Sequence, residues 1–221
     1  MKITFRAWNQ GYSELQSEKD SLDNLDFYNK TRYSRRKNQA GLLEVASREA
    51  HENQNVYFVT ILNDDDSVYC AIESNVGYFG LQFLQDNYAD FLHMQYDQDK
   101  QHPDKLFLSH ISLFEHELGT DIKKVRIDFI YELDGSFSVV IYKGEVYDGT
   151  YEEIMTEYPP IPSDELEKLW VEYPKFGEYE QLFRLDRIPL LARKRILEYT
   201  DKGFPPFREY LQKDIEQYQS E

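Results

Sequence analysis

The sequence predicts an α+β protein with a mostly antiparallel central sheet, flanking helices and a helical C-terminal segment. Three observations carry this. Short β-branched and aromatic runs, separated by turn clusters, fill the middle of the chain. Segments with helical spacing stand before and after them. Strands and helices do not alternate as they would in a parallel α/β sheet. Hydrophobic residues make up 41% of the 221 residues and aromatics 15%, enough to bury a substantial core.

The elements follow in chain order. Met1 to Trp8 alternates Ile3, Phe5 and Ala7 with Lys2, Thr4 and Arg6, which predicts a short strand. Residues 9–36 show no clear period and read as a long loop with some helix. Leu42 to His51 carries Leu42, Leu43, Val45, Ala46 and Ala50 at helical spacing. Val56–Leu62, the turn cluster Asn63–Ser67 and Val68–Ile72 form a hairpin pattern. Tyr78 to Phe83 reads as a third strand, although Leu84, Tyr88, Phe91 and Leu92 also fit a helix over 81–96. Leu106 to Leu118 fits either type. Val125–Ile130 and Phe137–Tyr142 flank Asp134-Gly135, whose glycine supplies the positive φ of a tight hairpin. Pro159, Pro160 and Pro162 break the chain. Ser163 is the expected N-cap of a helix through Leu166, Leu169 and Trp170, stopped by Pro174. Leu190–Tyr199 and Phe207–Tyr218 are two more helix candidates. The expected organisation is one domain, with a sheet part over 1–160 and a helical extension over 161–221 packed on it.

Charge is unevenly spread. The chain has 25 Lys and Arg against 41 Asp and Glu, a net −16. Residues 60–180 hold 26 acidic and 8 basic residues, a net −18, whereas the flanks hold 15 and 17, a net +2. Such a surface repels phosphate backbones and anionic membranes, so neither nucleic acid nor membrane is an expected partner. Its natural complement is a basic protein, steered by long-range attraction. The candidate contact residues are Asp64, Asp65 and Asp66 in a turn, and Glu152, Glu153 and Glu157. A solvated acidic face that only keeps the chain soluble is the plainer reading of the same residues.

Chemistry is sparse. The glycine-rich phosphate loops, the zinc-protease helix and the nucleophile elbow are all absent from the sequence. Cys70 is alone, which excludes an internal disulfide and reads as a buried structural thiol. His110 and His116, with Glu115, lie too far apart on a strand, about 20 Å, to share a metal. A carboxylate hydrolase would need two facing acids, with Glu115, Glu117 and Asp128 as candidates. The expectation is a binding protein, not an enzyme, with no cofactor and no metal. Without an apolar leader or an 18-residue apolar window, the expected location is the cytoplasm.

Three segments carry a family resemblance. Leu106-Phe107-Leu108 lies between His102-Pro103-Asp104-Lys105 and Phe114-Glu115. Tyr131-Glu132-Leu133-Asp134-Gly135-Ser136-Phe137 is a strand–turn–strand element. Trp170-Val171-Glu172-Tyr173-Pro174-Lys175-Phe176-Gly177-Glu178-Tyr179-Glu180 then runs into Leu182, Phe183 and Arg184. Together, over residues 56–184, they resemble immunity proteins encoded beside polymorphic or contact-dependent bacterial toxins. The resemblance implies a protein that binds and neutralises a cognate toxin domain. Basic toxins that attack nucleic acids suit an acidic inhibitor. It implies no contact residue. The alternative is an acidic nucleic-acid mimic that inhibits a DNA- or RNA-binding enzyme. Trp170, Tyr173, Pro174 and Phe176 themselves read as packing a helix end on the sheet.

Overall fold

The computed structural model describes residues 1–36, 40–84, 90–116, 123–145 and 150–200. The chain opens with β1 (Lys2–Thr4) and a small hairpin of β2 (Trp8–Asn9) and β3 (Glu14–Leu15). Two helices follow, α1 (Glu18–Asn29) and α2 (Leu42–Glu52). Then comes a long antiparallel meander: β4 (Tyr57–Leu62), β5 (Val68–Asn75), β6 (Tyr78–Leu84), β7 (Asp90–Gln98), β8 (Lys105–His116), β9 (Lys123–Tyr131), β10 (Phe137–Glu145) and β11 (Thr150–Tyr158). The chain closes with α3 (Ser163–Lys168), β12 (Trp170–Glu172), two 3₁₀ turns and α4 (Leu190–Thr200). The α+β class is therefore as the sequence predicts.

In the sheet every neighbour from β4 to β11 is also the next strand in sequence, and β1 pairs with β4 on the outside. β12 departs from this order and pairs with the first residues of β8, Trp170 opposite Phe107. Each strand has period two. On one face Val59, Ile72, Leu81, Met94, Ile111, Phe129 and Val139 form a continuous cross-strand row of buried apolar side chains. On the other face the matching row is mostly polar, with Glu73, Gly80, Gln95, His110, Ser138 and Glu157, and has Phe58 and Ile130 as its apolar members.

The apolar face is covered by the chain that follows β11. Leu169, Leu182, Leu185, Ile188, Ala192 and Ile196 join the same buried cluster as the strands. Tyr96 donates from its hydroxyl to the Leu182 carbonyl at 3.0 Å, and Phe183 packs edge-on against Tyr69. α1 and α2 pack on one another and against β4. Phe176 ties these parts together, with its ring stacked on Phe5 at 4.5 Å and set beside His51 and Tyr57. Tyr173 and Phe176 thus pack against His51 near the end of α2 and against the sheet, whereas Trp170 stands on β12 beside Phe107.

Several local expectations change. Residues 81–96 contain no helix among the described positions. Leu92, Met94 and Tyr96 alternate with His93, Gln95 and Asp97 along β7, and this period of two prevails over the helical one. Leu106–His116 is strand throughout. Pro162, not Ser163, occupies the N-cap position of α3, without a side-chain cap. Trp170 ends no helix stripe; it enters β12. α1 begins within the expected loop, capped by Ser17, whose hydroxyl accepts from the Asp20 N–H at 3.1 Å. Phe207–Tyr218 lies outside the described residues. Among the described residues no helix is long and apolar enough to cross a membrane.

Candidate functional site

The two acidic groups occupy different places. Asp64, Asp65 and Asp66 form the turn between β4 and β5. Asp64 pairs with the N-terminal ammonium at 3.1 Å and Asp66 with Lys2 at 2.7 Å, which raises the Lys2 pKa. Asp65 accepts from the Ser67 hydroxyl and N–H, and these bonds lower its pKa. This turn is therefore engaged with its own chain, through pairs so exposed that they are weak. Glu152, Glu153 and Glu157 lie on β11, the last strand of the sheet, about 30 Å across the sheet from that turn. The structure does not bring the two groups together.

β11 is exposed along nearly its whole length. Its nine residues pair with β10, Glu153 opposite Tyr142 and Glu157 opposite Ser138. The alternation puts Tyr151, Glu153, Met155 and Glu157 on the polar face and Glu152 and Ile154 on the other. Met155 is 58% exposed, Tyr151 42% and Ile154 37%. This strand combines carboxylates, apolar side chains and, among the described residues, a free outer edge of backbone N–H and C=O groups.

The polar face also holds a groove of about 330 Å³. Its floor is built from β5 to β9, and the β2–β3 hairpin supplies Trp8 as a wall. At one end the groove is lined by His110, Ser112 and Arg126, three donors that converge on one oxygen of the buried Asp128, 2% exposed. Arg126 Nε stands at 2.8 Å, Ser112 Oγ at 2.7 Å and His110 Nε2 at 3.2 Å. Burial pushes the Asp128 carboxyl up, but the bonds from His110, Arg126 and Ser112 outweigh it and hold the group below the usual carboxylate range. At the other end stand Glu73, Phe58, Tyr78 and Gly80. Desolvation by the groove walls raises Glu73, although its side chain still reaches solvent.

Ser112, His110 and Asp128 are the residue types of a nucleophilic triad in a different arrangement. Both the serine and the aspartate face the same imidazole nitrogen, and the serine hydroxyl donates to the aspartate. The imidazole therefore takes no proton from the serine, which a triad requires. The acids expected for a hydrolase do not meet either. Glu115 pairs with Val125 on the apolar side of β8, opposite the face of Asp128, and Glu117 lies outside the described residues. Glu73 lines the groove, and Asp128 is buried four strands away, on the order of 19 Å, against about 5–9.5 Å in glycosidase pairs. His110 and His116 stand about 20 Å apart along β8. Among the described residues no group of three or more His, Cys, Asp and Glu is placed to hold a metal. Cys70 is fully buried, and burial pushes its thiol pKa up, away from reactivity.

Sequence reasoning did not find the groove. Its signal was present in the polar alternation of His93, Gln95 and Asp97 and of His110 and Ser112. Those strands become one surface only through pairings between residues far apart in sequence. Comparison with protein-family models, with curated proteins and with solved structures gives no match.

Proposed function

We propose that the chain is an immunity protein that binds a cognate basic toxin domain and blocks it stoichiometrically, with β11 as the principal contact. The observation that carries this reading is the composition of that strand. Glu152, Glu153 and Glu157 stand among Tyr151, Ile154 and Met155, all exposed, on the terminal strand of the sheet. Charge beside exposed apolar area is the make-up of a protein interface. Among the described residues no strand pairs with the outer edge of β11, which offers a partner main-chain hydrogen bonds as well. The −18 of residues 60–180 supplies attraction over longer range. The resemblance of residues 56–184 to toxin-associated immunity proteins points the same way.

An acidic nucleic-acid mimic would draw on the same charge. Nothing on β11 favours it. Glu153 and Glu157 lie four residues apart on one face, about 13 Å, with Met155 between them. A nucleic-acid strand carries a charge about every 3.4 Å of axis.

The test is co-expression with the toxin encoded beside this gene. The parent protein protects the cells. A Glu152→Lys, Glu153→Lys, Glu157→Lys variant that folds does not, whereas neutralising Asp64, Asp65 and Asp66 has little effect. If the parent gives no protection, the immunity reading is wrong. Protection by the triple variant at the parent level would move the contact away from β11.

A further inference from the structure

The end of the groove around Glu73 carries an exposed carboxylate that makes no ion pair with a cation among the described residues. Aromatic rings frame it. Phe58 is its cross-strand partner on β4 and Gly80 its partner on β6, and directly opposed Cβ positions stand about 4.5–5.5 Å apart. Gly80 has no side chain, and the Tyr78 phenol lies across it. A Cβ at that position would stand 3.1 Å from Tyr78 Cε1 and collide with the ring carbon and hydroxyl beyond. The Tyr78 phenol thus lies over the position directly opposite Glu73 in the sheet. Trp8, from the β2–β3 hairpin, lines the same groove. The cationic group at the opposite end, Arg126, is already held by Asp128 at 2.8 Å.

A carboxylate among three aromatic side chains in a groove is complementary to an organic cation. The ring faces and the carboxylate attract positive charge, and the partly desolvated walls strengthen both. An anion would meet Glu73, and a neutral ligand would leave it without a partner. We propose that this end of the groove is a binding site for a guanidinium or alkylammonium group, seated between Glu73 and the rings of Trp8, Phe58 and Tyr78. The site is distinct from β11, which lies six strands away from β5 in the sheet. The cation is either a free polyamine-like molecule or an arginine or lysine side chain of a bound protein.

The experiment is an NMR titration of the full-length protein, reading the indole N–H signals of its two tryptophans. Trp170→Phe assigns them. Agmatine is the first probe, and a capped Gly-Arg-Gly peptide the second. Each is titrated to about 20 mM, where even a millimolar site is filled. A saturable shift of the Trp8 signal, with the Trp170 signal unmoved, is the expected result. Glu73→Gln weakens binding about tenfold. Gly80→Ala, which drives the Tyr78 ring into the site, weakens it while keeping the carboxylate. Binding of agmatine but not the peptide identifies a small free amine, and comparable binding of both identifies a side chain. The proposal is overturned if neither probe shifts Trp8 saturably, if sodium chloride at equal ionic strength gives the same shift, or if folded Glu73→Gln and Gly80→Ala both bind like the parent.

Discussion

Asp128 shows how one buried atom organises a face of the sheet. Three donors from three strand positions converge on its carboxylate, so removing the acceptor leaves Arg126, Ser112 and His110 pointing at nothing. Asp128→Ala should cost about 2–4 kcal/mol in chemical denaturation. The depressed pKa has a definite pH signature. The folded carboxyl titrates below its unfolded value, so its stabilisation is complete above the unfolded pKa near 3.8 and is lost as pH falls through the lower folded value. The parent should therefore lose more stability between pH 5 and pH 2 than Asp128→Asn does, in melting temperatures taken across that range. Gly135 makes a different kind of demand. It sits at φ +87° in the β9–β10 turn, where its N–H donates to the Glu132 carbonyl and the Ser136 carbonyl accepts from Glu132. An added Cβ would meet only ordinary contacts, the nearest Leu166 Cδ2 at 3.6 Å. Gly135→Ala should thus cost about 1 kcal/mol, from backbone strain alone.

Elements were legible in the sequence where local chemistry decides them. The turns at Asn63–Ser67 and Asp134-Gly135 and the apolar stripe of α2 depend on residues a few positions apart, and they stand where the pattern puts them. α1 was legible only as some helix within residues 9–36, without bounds, because only Leu22 and Leu25 among its apolar residues are buried, too few to make a stripe. β7 was ambiguous because Phe91 and Leu92 are consecutive and both buried, which blurs a period of two. β12 was hidden because Trp170-Val171-Glu172 is too short to declare a strand, and its partner lies some sixty residues earlier. The groove shared that fate: Glu73, Gly80 and Phe58 belong to three strands and become one site only through register. Phe176 closes the aromatic contact between the N-terminal region, α2 and β4, and a cation–π contact from Arg48 covers it at 4.3 Å. Phe176→Ala should lower stability by about 2–3 kcal/mol, less than a fully buried phenylalanine because the ring keeps some exposure.

At the scale of the whole molecule, the net −16 works against compaction. Raising sodium chloride from about 20 mM to about 500 mM screens this repulsion, and the melting temperature should rise by about 2–5 °C. The same salt should weaken capture of a basic partner, so stability and binding are expected to move in opposite directions. The covering of the sheet has a further consequence, for synthesis. The meander from β4 to β11 pairs each strand with its predecessor and can assemble as the chain emerges from the ribosome. The apolar side that it creates, with Leu92, Ile111 and Phe129, is buried by residues 169–196, which are made afterwards. A nascent chain paused near residue 160 therefore presents an assembled sheet whose apolar side is covered by α1 and α2 only in part, a substrate for ribosome-associated chaperones. Stalled chains of increasing length, probed by limited proteolysis, should stay cleavable until the segment through Ile196 has cleared the exit tunnel, and then become resistant in one step.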